Sequence, residues 1–319
     1  MNMNMNRFAL ITVLILSATI VCSTCKKEND MPFEIEGLTF ENFPIIDGST
    51  STDPLVRIIA SKLLGYNYEW QQLLVADGSW FLGTELPYEF VVQHLKSSQT
   101  HQSIINLIDN EVDMIFSARK MSDDEKTYAA EAGVNLIETP IALDALIFIA
   151  HPDNLINSLT HKQLQDIYTG KVKYWKDVGG SEAPITPYVR NKNSGSQELM
   201  EALVLTEPLS DDFPEDFTMI GGMMLLLSHV QSDVNGLGYT VHYYKENIVR
   251  DLVNLKTIAV NGVYPDKRTI ANRSFPYTSE VYVIIRSDLD KSSMAYKIRN
   301  LLLTKAGKKV IEESGYVPI

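Results

Sequence analysis

Three short polar stretches of this chain carry residue types able to hold a small anion. Ser49-Thr50-Ser51 stands just before Asp53-Pro54, Thr100 to Ser103 just before Ile104, and Ser194-Gly195-Ser196 just before Leu199, Met200 and Leu203. Each places hydroxyls at the start of an apolar helical repeat. The first N–H groups of a helix have no partner inside it and lie at the positive end of its dipole. Such a loop can therefore offer an oxyanion both N–H and O–H donors. The same residues also read as plain helix caps: Pro54 follows a Ser/Thr/Asp run, and Ser194 with Gln197 three positions on has the pattern of a capping box. Taken alone, the serines leave both roles open.

Catalytic patterns are missing. The sequence has no GxSxG elbow, Walker A loop, GxGxxG turn or HExxH pair. Ser117-Ala118-Arg119-Lys120 fits a loose S-x-x-K pattern, but it ends an apolar run and lacks the companion motifs. The six histidines show no tight spacing with acids, so no metal site is expected. No nucleophile and base pair stands out either, and the expectation is a binding protein with no cofactor rather than an enzyme.

The elements that must position these loops alternate between strand and helix, the pattern of an α/β fold. Phe43-Pro44-Ile45-Ile46 reads as a buried strand, Asp47 to Thr52 as a turn, and Leu55, Ile58, Ile59 and Leu63 as one face of a helix. Ile104, Leu107 and Ile108 repeat the helical spacing ahead of a strand from Val112 to Phe116. Ala142 to Ala150 (ALDALIFIA) is a long apolar run bounded by polar turns, fit for a central strand. Thr160 to Gln163 forms a capping box before Leu164, Ile167 and Tyr168, with Gly170 as terminator. Val281 to Ile285 reads as another strand, and Ala295 to Ile311 carries helical periodicity. Between the first two units lies an aromatic stretch, Tyr66 to Phe90. It either packs as an insertion or brings Trp70, Trp80 or Tyr88 to a ligand.

The chain has 319 residues and is 45% hydrophobic, enough for a substantial core in one large domain or two ordinary ones. Its 28 Lys+Arg against 40 Asp+Glu, a net charge of -12, exclude nucleic acid as a partner, because neutralising phosphodiesters needs a basic face. An anion would have to be held by local dipoles against the overall field.

Residues 1–25 have the form of a signal: a short segment ending at Arg7, an apolar run from Phe8 to Val21, then Cys22 and Cys25. The segment Ser23-Thr24-Cys25-Lys26-Lys27 is similar to the junction of a bacterial lipoprotein, with Cys25 (or Cys22) as the lipidated residue; a plain cleaved signal and an uncleaved anchor are the alternatives. Residues 26–41 would then be a tether. With no other cysteine, the body can hold neither a disulfide nor a Cys-based metal site. The expected location is the cell envelope, lipid-anchored, on the periplasmic or the outer surface.

The segments LTHKQLQDIYTGKVKYWKDVGG from Leu159 and ITPYVRNKNSGSQELMEAL from Ile185, together with Gly48 to Ser51, Ser117 with Arg119, the Asp144 strand and Gly236-Leu237-Gly238-Tyr239, resemble the PstS-like phosphate-binding family of ABC transporters. The resemblance implies an α/β, two-lobed periplasmic-binding-protein (type II, Venus-flytrap) fold with two hinge strands. Lobe 1 would comprise 42–142 and 280–319, and lobe 2 143–279, with Asp144 to Ile149 and Glu280 to Ile285 as the crossing strands. It implies a monomeric solute-binding lipoprotein that holds inorganic phosphate or a similar oxyanion in the cleft and delivers it to a membrane ABC permease. The alternative keeps the fold in a surface sensor or adhesion lipoprotein that binds another small acid or an organophosphate.

The implied ligand residues are Ser49, Thr50, Ser51, Arg119, Arg190, Ser194, Gly195 and Ser196. Arg190 keeps the family's spacing of four before the Ser-Gly loop, where a guanidinium can grip an oxyanion bidentately. Arg119 stands where some relatives have a proton-accepting Asp, and reads alternatively as a salt-bridge residue. The middle loop departs from the family. Gln99-Thr100-His101-Gln102-Ser103-Ile104 replaces a Gly-Ser-Gly-Thr-Gly-Ile pattern, which loses the close approach glycine permits and adds Thr100, His101 and Gln102 to the candidate contacts. His101 reads alternatively as an exposed residue of the capping region. Lys192 is a second departure.

Overall fold

A computed structural model describes residues 32–73, 79–210 and 222–319. The expected signal, Cys22 and Cys25 lie outside the described residues. The strands are β1 (Ile46–Gly48), β2 (Tyr68–Gln72), β3 (Trp80–Thr84), β4 (Met114–Ser117), β5 (Leu136–Ala150), β6 (Ser158–Leu159), β7 (Thr186–Pro187), β8 (Gly236–Val241), β9 (Lys256–Val260), β10 (Thr278–Arg286) and β11 (Val317–Pro318). The helices that matter below are α1 (Asp53–Leu64), α2 (Tyr88–His94), α3 (Thr100–Ile108), α4 (Asp123–Glu131), α5 (His161–Tyr168), α6 (Gly195–Leu203) and α7 (Met223–Ser232).

One strand, β5, runs through both halves of the fold. Its first part pairs antiparallel with β10, from Leu136 opposite Arg286 to Ala145 opposite Thr278, and β11 lies against Ala142 and Leu143. Beyond Ala145 the partners change. Leu146 to Ala150 pair with β8 on one edge, and Phe148 to Ala150 with β9 on the other. The first sheet is completed by β4 beside β10 and by β1 parallel to β4; the second by β7 beside β8 and β6 beside β9. This is an α/β, two-lobed fold linked by hinge strands. The run from Ile141 to Ala150, apolar except for Asp144, follows from burial on both faces, since every residue of it is buried.

The first sheet shows the two-residue period of a pleated strand. Met114 and Phe116 of β4 enter one apolar cluster with Val281, Val283 and Ile285 of β10. Ile115, Tyr282 and Ile284 enter a second with Ile104, Leu107 and Ile108 of α3. In the second lobe Phe148, Tyr168, Tyr239 and Tyr277 meet edge to face or tilted at 5.8–6.3 Å between ring centroids.

Two expectations need correction. The helical run from Ala295 to Ile311 is two helices, Met294–Leu302 and Lys305–Glu313, because the Thr304 hydroxyl accepts the Gly307 N–H at 3.2 Å and starts a new helix. The segment expected to be a tether as far as residue 41 packs on the body from Phe33 on. Phe33, Ile35, Leu38 and Phe40 lie against the core, and the Phe40 ring meets Phe90 at 5.0 Å, so apolar burial holds this stretch to the body.

Candidate functional site

The Ser49 loop is shaped by its contact with β4. The Ser49 N–H donates to the Phe116 carbonyl at 3.0 Å, and the Thr52 hydroxyl donates to the Ser49 and Phe116 carbonyls at 2.9 and 3.1 Å. A Cβ at Gly48 would stand 2.5 Å from the Phe116 oxygen, so only glycine allows this approach. The Ser49 hydroxyl accepts the Ala118 N–H at 3.2 Å and is hydrogen-bonded to the Thr100 hydroxyl at 2.9 Å, with either oxygen able to donate. Asp47 ties the first loop to the middle one: one carboxylate oxygen accepts the Ser98 N–H at 2.8 Å, the other the Asn106 amide at 2.8 Å. The Tyr316 hydroxyl donates to the Ser51 carbonyl at 2.9 Å.

The third loop comes from the second lobe. Ser194 caps α6 by accepting the Gln197 N–H at 3.2 Å, but the expected capping box is not completed. The Gln197 carbonyl oxygen instead accepts from the Tyr239 hydroxyl and from the Arg190 N–H at 3.3 Å. The Tyr239 oxygen also accepts the Arg190 N–H at 2.9 Å. The aromatic core of the second lobe thus fixes the backbone from which the Arg190 side chain departs. Gly195 faces Thr100 across the lobes, and a Cβ on it would lie 2.6 Å from the Thr100 hydroxyl. The glycine is what lets the N-termini of α3 and α6 converge.

Where the loops converge they line a cavity of about 330 Å³. Ser49, Thr50, Ser51 and Thr100 face it from the first lobe, and Arg190, Ser194, Gly195 and Ser196 from the second. Arg190 is 6% exposed and finds no carboxylate among the described residues; its guanidinium donates to the Asn191 side-chain oxygen at 3.4 Å, and its Nε is buried without a partner. Burial lowers its pKa, opposed by the nearby Tyr239 and Tyr244, yet a guanidinium stays cationic. The Ser196 hydroxyl is also buried without a partner. A buried cation beside unpaired donors is costly unless an anion completes it.

Three expected contacts lie elsewhere. Arg119 makes a bidentate pair with Glu125, Nη1 to Oε2 at 2.7 Å and Nη2 to Oε1 at 2.8 Å, and donates to the Lys120 carbonyl at 2.7 Å. His101 turns its Nδ1 to Glu125 at 2.9 Å, and Gln102 donates to Asn106 at 2.8 Å. None of the three lines the cavity, because a buried carboxylate or a helix neighbour has taken the polar end of each side chain. Burial alone would raise the Glu125 pKa, but the hydrogen bonds and charge of Arg119, with the Ser122 N–H and His101, hold it below the ordinary value. The Ser117 hydroxyl donates to the Arg119 carbonyl at 2.6 Å, away from any S-x-x-K chemistry.

The aromatic stretch contributes the antiparallel pair β2 and β3 and the helix α2, and none of its described residues lines this cavity. Trp70 packs on the core, Trp80 lies under the Arg250 guanidinium at 4.0 Å, and Tyr88 is exposed. The cavity also has lining that the sequence reading did not single out: Gln99, Ala118, Gly222, Met223, Met224, Val241 and Tyr244. Gln99 was legible as the residue standing at a glycine position. It adopts φ 70° and ψ 168°, a conformation that is costly with any side chain.

A family model described as a PBP superfamily domain matches residues 48–297. The chain belongs to this superfamily. Among curated proteins, the phosphate-binding protein PstS of Borreliella burgdorferi is 26% identical over 57% of the chain, and that of Pseudomonas aeruginosa 26% over 63%. In both cases the chain spans 66% of the relative's length, just under two thirds. An ABC-type phosphate transport receptor from Vibrio cholerae has the same fold, with a TM-score of 0.59, 20% identity and coverage of 86% of this chain and 98% of that one. The superfamily match includes all three loops that meet at the cavity, and the strands from β2 to β10.

Proposed function

We propose that this chain is the solute-binding component of an ABC-type uptake system and that it holds phosphate or a related oxyanion between its lobes for delivery to a membrane permease. The observation that carries the reading is Arg190, a buried guanidinium without a carboxylate among the described residues, aimed into a cavity lined by Ser, Thr and helix N-termini. The names of the relatives point the same way. In this reading Arg190 supplies the charge, Ser49, Thr100, Ser194 and Ser196 supply hydroxyls, and α3 and α6 supply N–H groups. Arg119 and His101 support the middle loop from behind through Glu125.

The lobes are assigned as 42–142 with 280–319, and 143–279, supported by the change of β5 partners after Ala145. The chain acts as a monomer. It is held at the cell envelope through lipid on Cys25, or Cys22, with a tether shortened to 26–32 by the packing of the residues that follow.

Calorimetry on the protein lacking residues 1–25 tests the site. Submillimolar phosphate binding that Arg190→Ala removes is the expected result. Undiminished binding in that variant refutes the site, and silence towards phosphate, sulfate and phosphoesters alike refutes the function.

A further inference from the structure

Part of the cavity is built for something other than oxyanion oxygens. Met223 and Met224, at the first turn of α7, and Val241, at the end of β8, line it alongside the hydroxyl loops. Thioether and isopropyl groups donate no hydrogen bond, so an anionic oxygen pressed against them loses water and gains nothing. Met223 and Met224 are only partly buried against the core, so the cavity is where their remaining apolar surface can be covered. A methionine pair is a polarizable wall that adapts to the shape of an organic group. The volume, about 330 Å³, lies at the lower end of sites for small organic ligands.

The donors on the other part of the lining define the head of the ligand. Arg190, Ser49, Thr100 and Ser196 are donors suited to ionised oxygens, and no carboxylate lines the cavity among the described residues. Inorganic phosphate keeps one proton at neutral pH and wants an acceptor for it. A phosphomonoester, with its second pKa near about 6, presents three unprotonated oxygens at that pH, and an alkyl phosphonate, a weaker second acid, does so in mildly alkaline solution. Its fourth substituent is carbon-bearing.

We infer that the ligand is a monosubstituted tetrahedral dianion, a small alkyl phosphonate or phosphate monoester, with its oxygens on the Arg190 and serine side and its organic group against Met223, Met224 and Val241. This rests on the oxyanion-binding reading above and narrows it to a substrate class.

The test is calorimetry at pH 9, where the phosphonates are dianions, on the protein lacking residues 1–25, with inorganic phosphate, sulfate, and methyl-, ethyl- and propylphosphonate. Each added methylene is expected to tighten binding about fourfold, the transfer gain of one buried CH₂. In the double variant Met223→Ser/Met224→Ser the ratio of propylphosphonate to methylphosphonate affinity should fall towards one. That ratio is internal to each protein, and circular dichroism confirms that the variant is folded. Binding of inorganic phosphate with no gain along the phosphonate series overturns this inference and leaves the oxyanion reading standing. A series that rises equally in the double variant overturns the methionine wall. Sulfate binding as tightly as propylphosphonate shows that the missing proton and not the organic group sets affinity, which also overturns it. No binding of any of the five overturns the oxyanion reading itself.

Discussion

Two arginines of this protein are buried to the same degree, Arg119 at 5% exposure and Arg190 at 6%, and they do opposite work. Arg119 is clamped by both oxygens of Glu125, which also receives His101 and the Ser122 N–H. Arg190 is fixed through its backbone by Tyr239 and Gln197, while its guanidinium has no carboxylate among the described residues. The first charge is neutralised inside the fold and makes structure. The second is left for something that arrives. Burial alone therefore says little about whether a charged side chain binds a ligand; the partner decides.

The sharpest way to break this comparison is to remove a partner. Glu125→Ala should destabilise the protein by about 3–5 kcal/mol in denaturant unfolding, because it strands Arg119 as an unpaired buried cation. If the loss is below about 1 kcal/mol, the Arg119 pair is not structural.

Arg190→Met should behave in the opposite sense. Removing a buried, unpaired charge leaves the ligand-free protein as stable as before or more so, while oxyanion affinity falls at least about a hundredfold, or about 3 kcal/mol. A variant that unfolds instead would place Arg190 among the structural residues with Arg119.

Titration extends the contrast to carboxyls. Glu125 has its cation and a depressed pKa, so its stabilisation is present above the ordinary carboxylate value and is lost as pH falls through its lower folded value. Asp144, on the strand that links the lobes, has no cation. Burial raises its pKa to about 7, opposed by the N–H groups of Tyr243 and Ala145, and its Oδ2 is unpaired. Its contribution is fully present below the unfolded pKa near 4 and declines as pH rises to about 7. Asp144→Asn should therefore flatten the stability profile, followed by urea unfolding at a series of pH values, removing on the order of 4 kcal/mol of change between those limits. An unchanged slope would mean that Asp144 is ionised in the fold.

The smallest effect is local. Gln99→Gly should relieve the backbone at φ 70° and raise the melting temperature, with about 1 kcal/mol gained, offset in part by the freedom glycine has when unfolded. A loss of stability would show that the Gln99 side chain makes contacts worth more than the strain.

Much of the site was legible from types and spacing. The three hydroxyl loops and Arg190 meet at one cavity, because a helix start marked by Ser, Thr or Pro is a local property of the chain. Arg119, His101 and Gln102 were misplaced because local sequence does not say which carboxylate a side chain will meet. A trace was present: Ser122 and Glu125 have the spacing of a capping box, and that box fixes Glu125 where Arg119 can reach it. Nothing in the sequence placed Met223 and Met224 beside the serines. They come from the second lobe, more than a hundred residues from Ser49 and Thr100, and only the folding of β5 and β8 into one sheet brings them there.

The amino-acid sequence by itself determined the alternation of strand and helix, the doubly buried run of β5 and the helix starts that carry the donors, since each depends on periodicity or on the few residues around it. The tertiary structure alone decided which arginine is neutralised and which is left open, because that depends on where a single carboxylate, Glu125, stands in space. The sign of a charge is written in the chain, but its partner is set by packing.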